Sequence, residues 1–432
     1  MSKMLRVRDS AELVVQKLSE EPEQKTTEDS FEYAAQAVTP LVSGEVKLVI
    51  GEKALVIASL FDVIELPFAE VNSISLNDYV VYIEADSGQY VFSRMGNWCQ
   101  PFYSTLYAAY NKAVLRSLFV SGDALLTANG DYFFTENPIS DTNQSGMYPQ
   151  LRGRSSVQVY DNCVVSLPPD LCARRIPLCF VNGLENGDFE LTLKMDSGEL
   201  YTFAKLGYDT DPFKTMIEKQ IRALRENSLT IVKEFDTSLS PIQASQIAGL
   251  MIEGAAAQLG RLTAISPSFV SALESKILET RAAESYRAFK EICDPSLIYI
   301  GFKKNDVPAE TEVDDEALQQ DPYLFCLIVP SPDGRFATVE FSEADSATFV
   351  YKTDGDFAAF AHQLNRALEA IDFKREVIRL TDEELRRPEN ADYYMASKRT
   401  VALQLVRGHF AGRVIHSSPE TWKKKLLELW SQ

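Results

Sequence analysis

VNSISLNDYVVYIEADSGQYVFS, residues Val71 to Ser93, is the stretch whose reading decides the fold. Apolar and polar residues alternate through Tyr79–Glu84 and again through Gln89–Ser93, the two-residue period of strands buried on one side. Asp86-Ser87-Gly88 lies between the two runs, and Gly88 supplies the positive φ that a tight hairpin needs. The same pattern returns from Val181 to Phe203. Val71-Asn72 matches Val181-Asn182, Asp78-Tyr79 matches Asp188-Phe189, and Asp86-Ser87-Gly88 matches Asp196-Ser197-Gly198.

Working outward, Val49 matches Val159 and Leu66-Pro67 matches Ile176-Pro177, all at an offset of 110. One residue is then inserted. Tyr90 and Phe92 match Tyr201 and Phe203, Gly96 matches Gly207, and Pro101-Phe102 matches Pro212-Phe213 at an offset of 111. Turn residues and strand residues agree together, so the region from about Val46 to Arg116 is duplicated from about Ser156 to Glu226. Within each copy, Val46–Ile50 and Ala54–Ala58 around Gly51-Glu52-Lys53 read as the opening hairpin, followed by further strands. Each copy then ends in one helix. Pro101 and Pro212 stand at the expected helix starts, with Asp211 as N-cap. Phe102, Leu106, Ala109 and Ala113, and Phe213, Ile217, Ile221 and Leu224, carry the apolar faces.

Strands first and one helix last, with an Ile/Leu-Pro step, a Gly turn and a Tyr-x-Phe strand, resembles tandem bacterial pleckstrin-homology-like (PH-like or GRAM-like) modules over residues 31–228. The resemblance implies a small antiparallel barrel closed by a C-terminal helix, and it raises lipid-headgroup binding as a function. That function calls for Lys and Arg in the loop between the first strands. The loop read there holds Gly51-Glu52-Lys53 in one copy and Tyr160-Asp161-Asn162 in the other; Arg152, Arg154, Arg174 and Arg175 are the nearby cations.

Past Ser240 the period changes to that of helices. Ser240-Pro241 with Gln243 forms a capping box, and Ser266-Pro267 opens a second helix. The small residues from Gly254 to Gly260 let another backbone come close. Strands return at Leu297–Phe302, Tyr323–Val329, Phe336–Phe341 and Thr348–Tyr351, and a helix capped by Asp356 follows. Thr381 and Ser418 open helices in the tail, the last carrying Trp422 and Trp430 as docked core residues.

The fold class is therefore α+β: tandem antiparallel β-barrel or sandwich modules each closed by a C-terminal helix, then a helical hairpin, a third strand-then-helix unit and a helical tail. The boundaries read as an N-terminal helical or mobile segment over 1–30, module 1 over 31–120, and module 2 over 121–232 with a mobile polar loop at 135–155. A helical hairpin over 237–292, a third unit over 293–375 that could be a degenerate copy, and a helical C-terminal segment over 376–432 follow. The acidic run 306–321 reads as a solvated loop.

The 432 residues carry a formal charge of −19, which argues against nucleic acid and against docking on anionic lipid by bulk charge. No apolar run is long enough for a signal peptide or a membrane span, and the six cysteines lack any C-x-x-C pair, so the chain is expected in the cytoplasm with reduced thiols. No Walker loop, G-x-G-x-x-G, G-x-S-x-G or H-E-x-x-H is present. No catalytic residue, cofactor or metal site is assigned. The most site-like passage is Arg407 to His416, where Arg407, His409, Arg413 and His416 could meet a phosphate or carboxylate ligand. The leading expectation is a non-catalytic scaffold whose modules bind protein partners. Lipid-headgroup binding, and an enzyme built on 407–416, are the alternatives; oligomeric state stays open.

Overall fold

The computed structural model describes residues 32–120, 122–135, 150–169, 172–304, 322–342, 347–373 and 376–431. The segment 1–30 and the acidic run 306–321 lie outside the described residues.

Module 1 is one seven-stranded antiparallel sheet. Its strands are β1 (Glu32–Val38), β2 (Ser43–Ile50), β3 (Ala54–Ala58), β4 (Val63–Pro67), β5 (Val71–Asn77), β6 (Val80–Ala85) and β7 (Gly88–Ser93), in spatial order 4-3-2-1-7-6-5. Module 2 repeats it with β8 (Leu126–Thr135), β9 (Gln150–Val159), β10 (Cys163–Leu167), β11 (Arg174–Pro177), β12 (Val181–Gly187), β13 (Glu190–Met195) and β14 (Leu200–Ala204), in order 11-10-9-8-14-13-12. In each, the first strand pairs the last, while the fourth and fifth form the two edges, so the sheet stays open.

The duplication holds at the level of single bonds. Val71 and Ser73 flank a register shift against β6, and Val181 and Gly183 flank one against β13. Phe68 N–H donates to Lys53 O, and Leu178 N–H to Asn162 O, both at 2.8–2.9 Å. Gly88 and Gly198 take positive φ at the matched hairpins, as the turn chemistry requires. Phe92 meets Phe102 edge-on at 6.1 Å, and Phe203 meets Phe213 at 5.7 Å, so the same aromatic pair locks the closing helix onto the sheet.

Two sequence expectations shift. The first hairpin is β1–β2, closed by Thr39–Val42; Gly51–Lys53 closes the second, and the module 2 counterpart of Thr39–Val42 falls in 136–149, outside the described residues. β9 already begins at Gln150, pairing β8 from Leu126↔Val159 to Thr135↔Gln150, so the polar composition of 150–155 belongs to a strand. The closing helices, α1 (Cys99–Ser117) and α2 (Thr210–Phe235), start earlier than their prolines suggest. Gly96 and Gly207 each open a 3₁₀ turn that runs straight into the helix. Asp211 therefore lies inside the first turn and is not the N-cap, and Pro101 and Pro212 sit among amides that lack intrahelical acceptors anyway.

The chain divides into two compact units. One holds module 1 as far as Arg116; the other holds most of module 2 and everything after it. Inside the second unit α2 runs 26 residues, against 19 for α1. Its first turns bury Phe213, Ile217 and Leu224 in module 2's core, and its last turns bring Val232 and Phe235 into the next core. That core lies against a six-stranded antiparallel sheet in sequential order: β15 (Ala257–Gln258), β16 (Tyr299–Lys304), β17 (Tyr323–Pro330), β18 (Phe336–Phe341), β19 (Ala347–Lys352) and β20 (Phe410–Ile415).

Between α2 and β16 stand α3 (Pro241–Leu250), α4 (Leu259–Ile265), α5 (Pro267–Leu278) and α6 (Ala283–Ile292). The Ser240 capping box and the Ser266 cap form as the sequence indicates, but the segment divides further, with Glu253 and Gly254 in the left-handed region. A Cβ on Gly254 would stand 2.9 Å from Phe302 O, and one on Gly260 2.9 Å from Ser296 O; the small residues do admit a second backbone. α7 (Phe357–Ala370) follows β19, with its cap on Asp356. Next come α8 (Glu376–Arg379), α9 (Asp382–Leu385), α10 (Ala391–Arg399) and α11 (Val401–Gly408), then β20 and α12 (Pro419–Trp430). α12 docks by its tryptophans: Trp422 Nε1–H donates to Thr348 Oγ1 and Trp430 Nε1–H to Thr338 Oγ1, both at 2.9 Å. Among the described residues no helix is long and apolar enough to cross a membrane.

Candidate functional site

The four residues singled out in the tail belong to one strand and its flanks, and Arg407, His409 and His416 are each held by different partners. Arg407, on α11, donates to Leu380 O and to Asp382 Oδ1, both at 2.6 Å. His409 lies between Leu405 O at 2.6 Å and Asp354 Oδ2 at 2.8 Å. Arg413 is exposed on β20, in register with Phe349. His416, just past the strand, reaches Glu340 Oε1 and Thr348 Oγ1, each at 3.0 Å. The six residues between His409 and His416 form β20, an extended span that separates the two imidazoles by roughly 20 Å. They are joints between elements, not walls of one pocket.

The His416 joint is the most buried of them. Glu340 is 1% exposed near the end of β18, and the Thr348 hydroxyl on β19 donates to it. Glu340's hydrogen bond raises the His416 pKa above its ordinary value, against burial, which lowers it. Among the described residues no three His, Cys, Asp or Glu side chains gather as a metal would need.

A second cluster fastens module 2 to α7. Arg175 on β11 makes a bidentate pair with Glu369, at 2.8 and 2.6 Å; the side chains are 5% and 9% exposed. Arg366 meets Glu199 at 2.7 Å and lies 5.5 Å over the Phe180 ring, while His362 meets Asp196 at 2.7 Å. Beside them, burial pushes the Cys163 thiol up to about 11, which keeps it protonated. Arg175 and Arg366 each meet a carboxylate within the chain, so the cluster is a clamp.

Module 1 is built differently at its corresponding end. The β1–β2, β3–β4 and β6–β7 connections lie at one end of the sheet, and a Cβ on Gly88 would stand 2.9 Å from Pro40. Two of the three connections share one design. Thr39 Oγ1 accepts from Val42 N–H at 2.8 Å and Leu41 N–H at 3.3 Å, and the Thr39 amide donates to Val42 O at 2.9 Å. Ser59 Oγ accepts from Asp62 N–H at 2.9 Å and Phe61 N–H at 3.3 Å, and its amide donates to Asp62 O at 2.8 Å. Each hydroxyl thus pins a four-residue turn with large apolar side chains at its tip. Leu41, Leu60 and Phe61 are 74%, 86% and 87% exposed. Rigid, exposed apolar tips gathered at one end are what an interaction surface requires, and they serve no purpose in the module's own core.

No protein-family model matches this chain, and no curated protein matches it.

The sequence reading passes over these tips because it places the opening hairpin one turn too late. The signal was present: Ser59-Leu60-Phe61-Asp62 puts two large apolar residues inside a hydroxyl-initiated turn, where polar residues are the rule.

Proposed function

We propose that this chain is a non-catalytic cytoplasmic scaffold with tandem PH-like modules, and that module 1 docks a protein partner through the end carrying Leu41, Leu60 and Phe61. One observation carries the reading: two turns, each pinned by a hydroxyl, hold apolar side chains out of the fold. Holding them rigid in advance lowers the ordering cost of binding. The strand order with a closing helix supports the PH-like assignment, and six free thiols support a reducing compartment. Leu60 shares its surroundings with Glu45, Lys47 and Arg94, of which Lys47 is paired with Glu32, and the chain as a whole carries −19, which favours a protein over an anionic membrane.

The test uses the full chain and its Leu60→Asp/Phe61→Asp variant as baits in native lysate. A stoichiometric protein recovered by the first and lost by the second, with unchanged melting, is the expected result. Equal recovery by both baits would remove the apolar end from the account.

A further inference from the structure

Beside the apolar tips, module 1 has a concavity of about 620 Å³ on the outward face of β1, β2 and β3. Ala34 and Ala58 form its floor, flanking Lys47 in one register row, and their methyl groups leave the depression. Leu60 stands on one rim, and Arg94, at the end of β7, on the other.

The duplication supplies an internal control for Arg94. Its counterpart in module 2 is Lys205; both residues take φ near +60°, turning the chain outward at the same point. Lys205 is neutralised by Asp131. The residue structurally equivalent to Asp131 is Gln36, because Ser93 pairs Gln36 just as Ala204 pairs Asp131. One copy closes its cation with its own carboxylate. The other has an amide there, and Arg94 has no ion-pair partner among the described residues. Lys47, by contrast, is held by Glu32 at 2.8 Å. Glu45 lies on the far side of Gln36 and keeps acidic groups toward the β7 rim.

We infer that this groove takes an extended peptide segment of the protein partner, whose acidic side chain meets Arg94 while an apolar side chain packs on Leu60. The inference rests on module 1 being the docking module. From β3 to β7 is three strand spacings, about 14 Å, or about four residues of extended chain. The segment therefore carries its acidic and apolar residues about four apart. Gln36 donates its amide to the same carboxylate.

Display of random 12-residue peptides against the full chain and three single variants tests this. The unaltered chain is expected to enrich peptides with Asp or Glu about four residues from a large apolar residue. For the best such peptide made synthetically, Arg94→Glu weakens binding at least tenfold and shifts selection toward Lys or Arg. Gln36→Asp, which rebuilds the module 2 pair, also weakens it tenfold while leaving the fold intact. Leu60→Asp abolishes selection. Enriched peptides lost with Leu60→Asp but indifferent to Arg94→Glu and Gln36→Asp would overturn the groove and leave the apolar end standing. No enrichment, with binding to phosphatidylcholine–phosphatidylglycerol vesicles that Leu60→Asp abolishes, would overturn both.

Discussion

Modules 1 and 2 share a scaffold down to a register shift and an aromatic pair, yet their surfaces differ. Module 2 turns a corner of its sheet inward. Arg175, Cys179 and Phe180 stand where module 1 has Glu65, Ala69 and Glu70, and the single inserted residue falls beside Gly198, where Glu199 meets Arg366. Those changes create the clamp on α7, and the longer α2 carries module 2's core into the next. Module 1 lacks the clamp residues and instead projects Leu41, Leu60 and Phe61. After a duplication the core constraints stay, because each module must still bury its own strands. The loops and corners diverge, because there a substitution costs little until it meets a partner.

Breaking the clamp gives the largest effect. Glu369→Ala leaves Arg175 charged and buried, and is expected to cost about 3–5 kcal/mol. Glu65→Ala, at the module 1 position matching Arg175, stays within about 0.5 kcal/mol. Denaturant unfolding reports the two separately, since Trp98 belongs to module 1 and Trp422 and Trp430 to the second unit. Equal losses at both positions would erase the distinction.

Proton linkage gives a smaller effect. Glu340 raises the His416 pKa in the folded state, so the stabilisation is complete below the ordinary 6.5 and is lost as pH rises through the raised value. The denaturant midpoint read from Trp422 and Trp430 should fall across that window, and His416→Gln should flatten the dependence. A midpoint rising with pH over the same window would reverse the assignment.

Much of this comparison was legible in the sequence, because hairpin glycines, strand alternation and helix caps are local signals. Asp86-Ser87-Gly88 and Ser240-Pro241 needed only their neighbours. β1 was not legible: Glu32–Val38 holds three alanines and little β-branching, so strand propensity is weak and pairing with β2 and β7 makes it a strand. Missing it displaced the loop assignments and hid the tips. The clamp was invisible for another reason. Arg175 and Glu369 are 194 residues apart, and no local pattern links them. The Arg407–His416 passage shows the converse, for its clustered polar residues are separated by the strand they flank.

The central claim is that module 1 faces a partner at its apolar end while a shared exposed aromatic does not. Phe189 provides the control: it is 74% exposed, and it matches Tyr79, so it belongs to the common scaffold. A photoreactive phenylalanine placed at 61 or at 189 of the full chain, irradiated in cells, tests this most directly. The account predicts one discrete protein crosslink from position 61 and none from position 189. Equal crosslinking from both positions, or crosslinking from 189 alone, would contradict it.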